Sequence, residues 1–204
     1  MSASRGAEIS PDRIADVVTS LAAEELAIQD GFLTPAASRE LVSCIRERGE
    51  LAPARVGGPG AARRSTEIRG DSVCWIEAPL LAAEERLLAR LEELRLALNR
   101  TLQLGLFDLE LHYACYPAGA GYARHVDQPR GRERRCVSLV VYLNETWACG
   151  AGGELRIAEP SGGHRDIEPI AGRLVCFMSA GREHEVLPAR RERLSISGWY
   201  STRA

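Results

Sequence analysis

The sequence predicts an α+β, mainly β domain: helices first, then a run of short strands closing into an antiparallel sandwich or barrel braced by those helices on one side. Three observations carry this. Residues up to about 102 show helical hydrophobic periodicity; from about residue 105 strict alternation and short apolar runs punctuated by Gly and Pro replace it; and the chain has the length and composition of one packed domain, 204 residues with 45% hydrophobic and 26% charged side chains. The expected division is one domain over 1–204, with a helical support region over about 10–102 and a jelly-roll-like core over about 105–202.

Ser10-Pro11 reads as an N-cap followed by proline at the first helical position, and Ile14, Val17, Val18 and Leu21 continue with a helical period. Ala27 to Leu33 reads as a short strand with a turn at Asp30-Gly31. Thr34-Pro35 repeats the helix-start signal, and Leu41, Val42 and Ile45 follow it. A third helix is expected over 81–102, with Leu87, Leu91, Leu94 and Leu98 on one stripe. Residues 56–65, from Val56 to Ser65, carry Gly57, Gly58, Pro59 and Gly60, which prevent regular structure; a loop of this length is either a functional lid or a disordered connector. In the second half, Phe107, Leu109, Leu111, Tyr113 and Cys115 share one strand face. Cys136 to Leu143 is nearly all apolar, as a strand buried on both faces is. Gly153 to Ala158, Arg173 to Met178, Glu185 to Leu187 and Arg193 to Tyr200 complete the set of strands.

Charge and cysteine usage exclude several classes. The net charge is -2 and the chain contains no Lys, so it lacks the basic footprint of a nucleic-acid binder. Six Cys stand far apart with no C-x-x-C pair, which argues against a disulfide framework or a zinc ribbon, and Cys176 inside Leu174-Val175-Cys176-Phe177 reads as a small core residue. The N-terminus has no apolar signal region, and no apolar stretch approaches the roughly 20 residues that span a bilayer. A soluble protein of a reducing cytoplasm is expected.

The chemistry sits in the second half. His125-Val126-Asp127 places an imidazole and a carboxylate on one face of a strand, and His184 lies far downstream. Two His and one carboxylate are the donors of the facial triad that holds non-haem Fe(II) and leaves positions open for a cosubstrate and O₂. An isolated H-x-D is a weak signal, and His184 alone could be a hydrogen-bonded core residue. Nine residues after His184, Arg193 lies on the last strand with Ser195, Ser197 and Trp199 on its face. A buried Arg requires an anionic partner, and its planar fork suits a carboxylate in two-point contact, as a 2-oxoacid with a distal carboxylate would supply.

Taken together, the segments ACYPAGAGYARHVD (114–127), RCVSLVVYLNETW (135–147), GGELRI (152–157), DIEPIAGRLVCF (166–177), HEVLPARRERLSISGWY (184–200) and, upstream, IRGDSVCWIE (68–77) resemble the 2-oxoglutarate- and Fe(II)-dependent prolyl 4-hydroxylases, most closely the hypoxia-sensing type and its bacterial relatives. The resemblance implies a double-stranded β-helix, an eight-stranded jelly roll whose major sheet is braced by the N-terminal helices. It implies an enzyme that couples oxidative decarboxylation of 2-oxoglutarate to hydroxylation at C4 of a proline, using Fe(II), 2-oxoglutarate and O₂, with L-ascorbate as an accessory reductant.

Residue by residue, the resemblance makes His125, Asp127 and His184 the Fe(II) ligands. Arg193, helped by the Tyr142 hydroxyl, would take the distal carboxylate of 2-oxoglutarate, and Tyr116 would lie beside its metal-binding end. Val140, Leu155 and Ser197 would complete that pocket, with Val140 a little smaller than the family's usual Ile. Trp199, Arg135, Asp71, Arg69 and Trp75 would lie at the substrate mouth, Asp71 pairing with Arg135. The 56–65 loop would match the family's mobile finger, and Arg63 and Arg64 would add positive charge near the mouth. Asp108, Glu110 and His112 share a face with Tyr116; in a barrel with a polar interior that face turns inward and His112 lines the pocket, whereas an exposed His at a strand centre is the competing reading. The expected partner is a protein segment bearing the target proline, with neither nucleic acid nor membrane, in a monomeric bacterial enzyme; the bacterial relatives suggest a translation factor such as elongation factor Tu. Two other functions fit the barrel. A nucleic-acid demethylase would carry R-x5-R on the last strand, where Trp199 stands instead. A non-catalytic cupin-like sensor would have no need of an intact triad with Arg193.

Overall fold

The structure, a computed structural model, describes residues 12–49, 51–55, 65, 67–128 and 134–203. The expected start signal at Ser10-Pro11 and, apart from residue 65, the 56–65 loop with Arg63 and Arg64 lie outside the described residues. In chain order the elements are α1 (Asp12–Glu24), β1 (Leu26–Gln29), α2 (Pro35–Arg48), β2 (Ala52–Pro53), β3 (Ser72–Trp75), α3 (Ala82–Leu102), β4 (Leu106–Tyr116), β5 (Tyr122–His125), β6 (Arg135–Tyr142), β7 (Leu155–Ala158), β8 (His164–Ile167), β9 (Leu174–Met178), β10 (His184–Val186) and β11 (Arg193–Thr202).

Local chemistry explains the helix ends. Thr34 accepts a hydrogen bond from the Ala37 N–H, and proline follows it at the first helical position of α2. That helix stops at Gly49, whose φ of 70° is left-handed and whose N–H reaches the Ile45 carbonyl. The α3 start lacks a capping side chain at Leu81; instead Glu84, three residues on, reaches back to accept the Leu81 N–H at 2.9 Å. The first strand ends at Gln29, earlier than the expected Leu33, because Gly31 takes φ 63° in the turn and Phe32 and Leu33 drop into the core.

All strand pairing is antiparallel, in a seven-stranded sheet of order β1-β9-β6-β11-β4-β3-β2 and a four-stranded sheet of order β5-β10-β7-β8. This is the jelly roll with its helical brace. Each face of the large sheet has its own core. Outside, α1, α2 and α3 bury Val17, Leu21, Leu41, Leu87, Leu91, Leu94 and Leu98 against Leu111, Tyr113, Leu139, Val141, Ile196 and Tyr200. Inside, between the sheets, Tyr116, Tyr142, Leu155, Ile157, Val175 and Phe177 form a second cluster.

The period-two rule therefore sorts every residue of β4, β6 and β11. Val137, Leu139 and Val141 go to the helices, and Ser138, Val140 and Tyr142 go inward. One member departs from the expected face: Phe107 falls where the β4–β11 register shifts between Asp108 and Leu106, and it is exposed, with the Arg203 guanidinium 3.9 Å from its ring centre. Strands β2, β3 and β8 are absent from the sequence reading, and β5 enters it only as the strand expected at His125. They are only two to four residues long, and β8 is exposed at three of its four positions, so none has an alternating pattern to read.

Candidate metal and cosubstrate site

Strand pairing assembles the triad. His184, first residue of β10, lies directly opposite His125, last residue of β5. Asp127 is not on the strand with His125, as the H-x-D spacing suggests. It follows in a bend after β5 ends, and the turning chain brings its carboxylate back between the two rings. Asp127 Oδ1 is 3.6 Å from His125 Nε2, Asp127 Oδ2 is 3.5 Å from His184 Nε2, and one ligand atom from each residue lies within 4.8 Å of the others.

The far side of each imidazole is fixed. His125 Nδ1 bonds the Ala123 carbonyl at 2.8 Å, and His184 Nδ1 bonds the Arg182 carbonyl at 3.0 Å. A carbonyl only accepts, so both Nδ1 atoms carry a proton, and both Nε2 atoms are turned toward Asp127. Tyr122 stacks on His125 with centroids 3.6 Å apart, and Phe177 meets the edge of His184 at 4.8 Å. Burial pushes His184 down more than the Asp127 charge pulls it up, which keeps its ring a neutral ligand. Burial also pushes the Asp127 carboxyl up, but the His125 and His184 imidazoles that face it and the Trp199 indole outweigh burial and hold it well below the usual carboxylate range. Two imidazoles and a carboxylate converging on one point are the donor set of a non-haem Fe(II) centre.

Ser138 and Ser179 belong to this site and went unrecognised in the sequence. Ser138 Oγ donates to Asp127 Oδ2 at 2.7 Å and lies 2.8 Å from Ser179 Oγ, with both serines buried. The single Ser138 proton goes to the carboxylate, so Ser179 must donate to Ser138. The chain of hydroxyls ends on the Asp127 carboxylate and orients it. The sequence signal was available: a Ser facing inward within an otherwise apolar strand. Ser138→Ala is expected to weaken Fe(II) or Mn(II) binding about 10-fold or more, with Ser138→Thr largely restoring it. Equilibrium dialysis with the metal measures this, and equal affinities for wild type and Ser138→Ala would refute it.

Deeper in the barrel lies Arg193, 2% exposed. Its Nε donates to the Gly153 carbonyl at 2.8 Å and a terminal nitrogen reaches Ser195 Oγ at 3.3 Å, while its guanidinium lies 5.1 Å from the ring centres of both Tyr116 and Tyr142. No carboxylate among the described residues pairs with it. A Cβ on Gly153 would stand 2.9 Å from Ala189 Cβ and 3.3 Å from Arg193 Cδ, and its φ of 76° is left-handed, so only glycine lets the arginine lie there. The Tyr142 hydroxyl is likewise buried without a hydrogen-bond partner. Burial raises the pKa of Tyr142 and Tyr116, leaving both as protonated donors. A buried cation lacking an anion, beside an unpartnered hydroxyl, fits one end of a dicarboxylate. Val140 and Leu155 stand in the surrounding apolar cluster, and Ser197 lies two residues further along β11.

The mouth differs from the expectation in its ion pairs. Asp71 is held by Arg69, in a two-point contact of 2.7 and 3.0 Å, and not by Arg135. The two residues are two apart in an extended segment, so their side chains emerge on the same side. Arg135 instead pairs with Glu110 at 2.9 Å and lies 3.5 Å over the Trp199 ring. Trp199 is thereby covered, at 8% exposure, whereas Trp75 is 44% exposed. His112 faces inward between these two indoles, with centroids 5.0 Å from Trp75 and 5.4 Å from Trp199. A cleft of about 370 Å³ bounded by Pro53, Arg69, Gly70, Asp71, Pro117 and Ala120 adjoins the mouth.

Fold and site together define a class: a non-haem Fe(II) oxygenase that draws on a 2-oxoacid with a second carboxylate. Comparison with known proteins agrees. Residues 111–201 match the 2OG-Fe(II) oxygenase superfamily. The chain is 36% identical over 171 residues to mouse prolyl hydroxylase EGLN3, covering 79% of this chain and 70% of that one. It is 40% identical over 146 residues to human Egl nine homolog 1, covering 67% of this chain and 34% of that longer protein. Among solved structures, a Pseudomonas putida prolyl-4-hydroxylase superposes with a TM-score of 0.85 at 44% identity, covering 94% of this chain and all of that one. A Trichoplax adhaerens prolyl hydroxylase, solved with a hypoxia-inducible factor peptide fragment, superposes with a TM-score of 0.83 at 29% identity, covering 92% and 88%. The chain belongs to the prolyl hydroxylases of the 2-oxoglutarate- and Fe(II)-dependent oxygenase superfamily.

Proposed function

We propose that this enzyme hydroxylates C4 of a proline within a protein segment, coupled to conversion of 2-oxoglutarate and O₂ to succinate and CO₂. The observation that carries the reading is the unpaired Arg193 with the unpartnered Tyr142 hydroxyl, set in the barrel below the His125–Asp127–His184 triad. Iron(II), when bound, supplies the activation of O₂ that oxidative decarboxylation drives.

The chain's own residues hold, orient and exclude. His125, Asp127 and His184 would hold the metal, which has further coordination positions to offer to small molecules. Arg193 and Tyr142 bind the distal carboxylate, with Tyr116 beside the cosubstrate. Val140 and Leu155, with Phe177 and Val186, keep water out, so that the charge-assisted contacts act in a low-dielectric pocket. Trp199, Arg135, Trp75, Arg69 and Asp71 stand where a peptide would enter. The Gly- and Pro-containing segment 56–65, which the sequence leads one to expect as a loop, would suit a peptide better than free proline. No helix among the described residues is long and apolar enough to cross a membrane. A cytoplasmic protein target and ascorbate as the reductant that rescues oxidised metal complete the proposal, with elongation factor Tu as the first target to test.

The test is mass spectrometry of the host proteome with and without the gene, searching for a proline with one added oxygen, beside succinate release from the purified protein with elongation factor Tu. Succinate formed with a hydroxylated proline on a host protein is the expected result. Hydroxylation of free proline alone, or of no proline, overturns it.

A further inference from the structure

The interior of the barrel is layered by strand register, and the layers place one residue to which no role has yet been given. Along β11, Arg193 lies opposite Tyr116; Ser195 lies between Ala114 and Tyr142; Ser197 lies between His112 and Val140; Trp199 lies between Glu110 and Ser138, whose hydroxyl holds Asp127. Successive layers are two residues, about 7 Å, apart. A five-carbon 2-oxodiacid held at Arg193 and chelating a metal at Asp127 must cross the Ser197 layer, where His112 stands.

His112 is 2% exposed, and its Nδ1 has no hydrogen-bond partner. The inner face of the large sheet thus carries two orphaned buried polar atoms, Tyr142 Oη and His112 Nδ1, one layer apart on the two strands flanking β11. Leaving a buried ring nitrogen unsatisfied is costly, and a Leu or Met would fill the space between Trp75 and Trp199 without that cost. The two indoles fix the ring plane on both sides, so the nitrogen is aimed before any ligand arrives. Burial, aided by the Arg69 charge, pushes the imidazole down to about 4, so it is neutral and offers one N–H and one lone pair.

We propose that His112 donates a hydrogen bond from its free Nδ1 to the metal-chelating end of 2-oxoglutarate, the carboxylate next to the ketone. The inference rests on the reading under Proposed function. It divides cosubstrate recognition between two ends, Arg193 and Tyr142 at one and His112 at the other, and so favours a 2-oxodiacid bound in a single orientation over a simple dicarboxylate.

Anaerobic titration of the Fe(II)-loaded protein with 2-oxoglutarate tests this, read by the visible charge-transfer absorption that a 2-oxoacid gives on chelating Fe(II). His112→Leu is expected to weaken binding about tenfold and to shift the band. His112→Asn puts an amide nitrogen near the position of Nδ1 and is expected to recover most of the affinity; His112→Gln puts it near Nε2 and is not. The Asn and Gln pair decides the matter where the Leu variant fails to fold. Unchanged affinity and band in His112→Leu overturn the proposal, and so does an Asn variant as weak as the Gln variant, which would make the ring a packing element. Absence of the band in the wild-type protein would instead refute the Fe(II)/2-oxoglutarate reading and this inference with it.

Discussion

Asp127→Ala is expected to remove turnover while leaving the barrel folded. The carboxylate is the only anionic donor in the triad, and without it two neutral imidazoles must hold a divalent cation unaided. Losing an outer hydrogen-bond partner of a metal ligand costs roughly 10–100-fold in affinity or activity, and loss of the ligand itself must exceed that. The fold tolerates the change because Asp127 lies in a bend outside the strand ladders, and because Ser138 keeps Ser179 as a partner when the carboxylate leaves. Asp127→Asn keeps the shape but not the charge and is expected to fail as well, which separates electrostatics from packing. Metal retained after dialysis and succinate formed from 2-oxoglutarate are the two measurements. A variant that binds Fe(II) and releases succinate at the wild-type rate would show that the triad is wrongly assigned.

Much of this site was legible because β-strand chemistry has a short period. Arg193, Ser195, Ser197 and Trp199 alternate with Leu194 and Ile196, and the structure buries the two sets on opposite faces of β11 as the alternation requires. His112 follows the same rule, turning inward with Ala114 and Tyr116 rather than out to solvent. What escaped depends on non-local geometry or on residues that resemble filler. Asp127 leaves the strand for a bend, which no spacing rule anticipates. The Asp71 partner is a near neighbour, Arg69, whose guanidinium is also placed 4.8 Å over Tyr122. The Arg135 side chain, expected to reach Asp71, is claimed first by Glu110 and the face of Trp199. Glu84 left a readable trace that periodicity alone passes over: it sits three residues before Leu87, on the same stripe as Leu91, Leu94 and Leu98, where an apolar residue is expected.

That glutamate accounts for the largest expected loss of stability. Glu84 is fully buried where α2, α3 and β4 meet, and all its bonding capacity is used. Arg48 Nε and a terminal nitrogen each donate at 2.6 Å, the Tyr113 hydroxyl donates at 3.0 Å, and the Leu81 N–H donates at 2.9 Å. Arg48 in turn reaches the Glu77 and Pro79 carbonyls, so one side chain ties two helices, a loop and the central sheet together. Glu84→Ala takes the anionic partner from the partly buried Arg48 guanidinium and leaves a phenol and a helix-terminal N–H without their acceptor, and removing one partner of a buried pair costs about 3–5 kcal/mol. Burial pushes the Glu84 carboxyl up, yet the Arg48 bonds, the Leu81 N–H and Tyr113 outweigh it and hold the carboxyl below its ordinary value. A carboxylate lowered in the folded state contributes stability that is present above its unfolded pKa, about 4.3, and is lost as pH falls through the folded value. Urea unfolding at neutral pH is therefore expected to show the full deficit in Glu84→Ala, and Glu84→Gln to flatten the acid limb of the stability profile below about pH 4.3 relative to wild type. A Glu84→Ala deficit under about 1 kcal/mol, the range of a solvent-screened surface pair, would mean that the helices are held to the sheet by their leucine stripes alone.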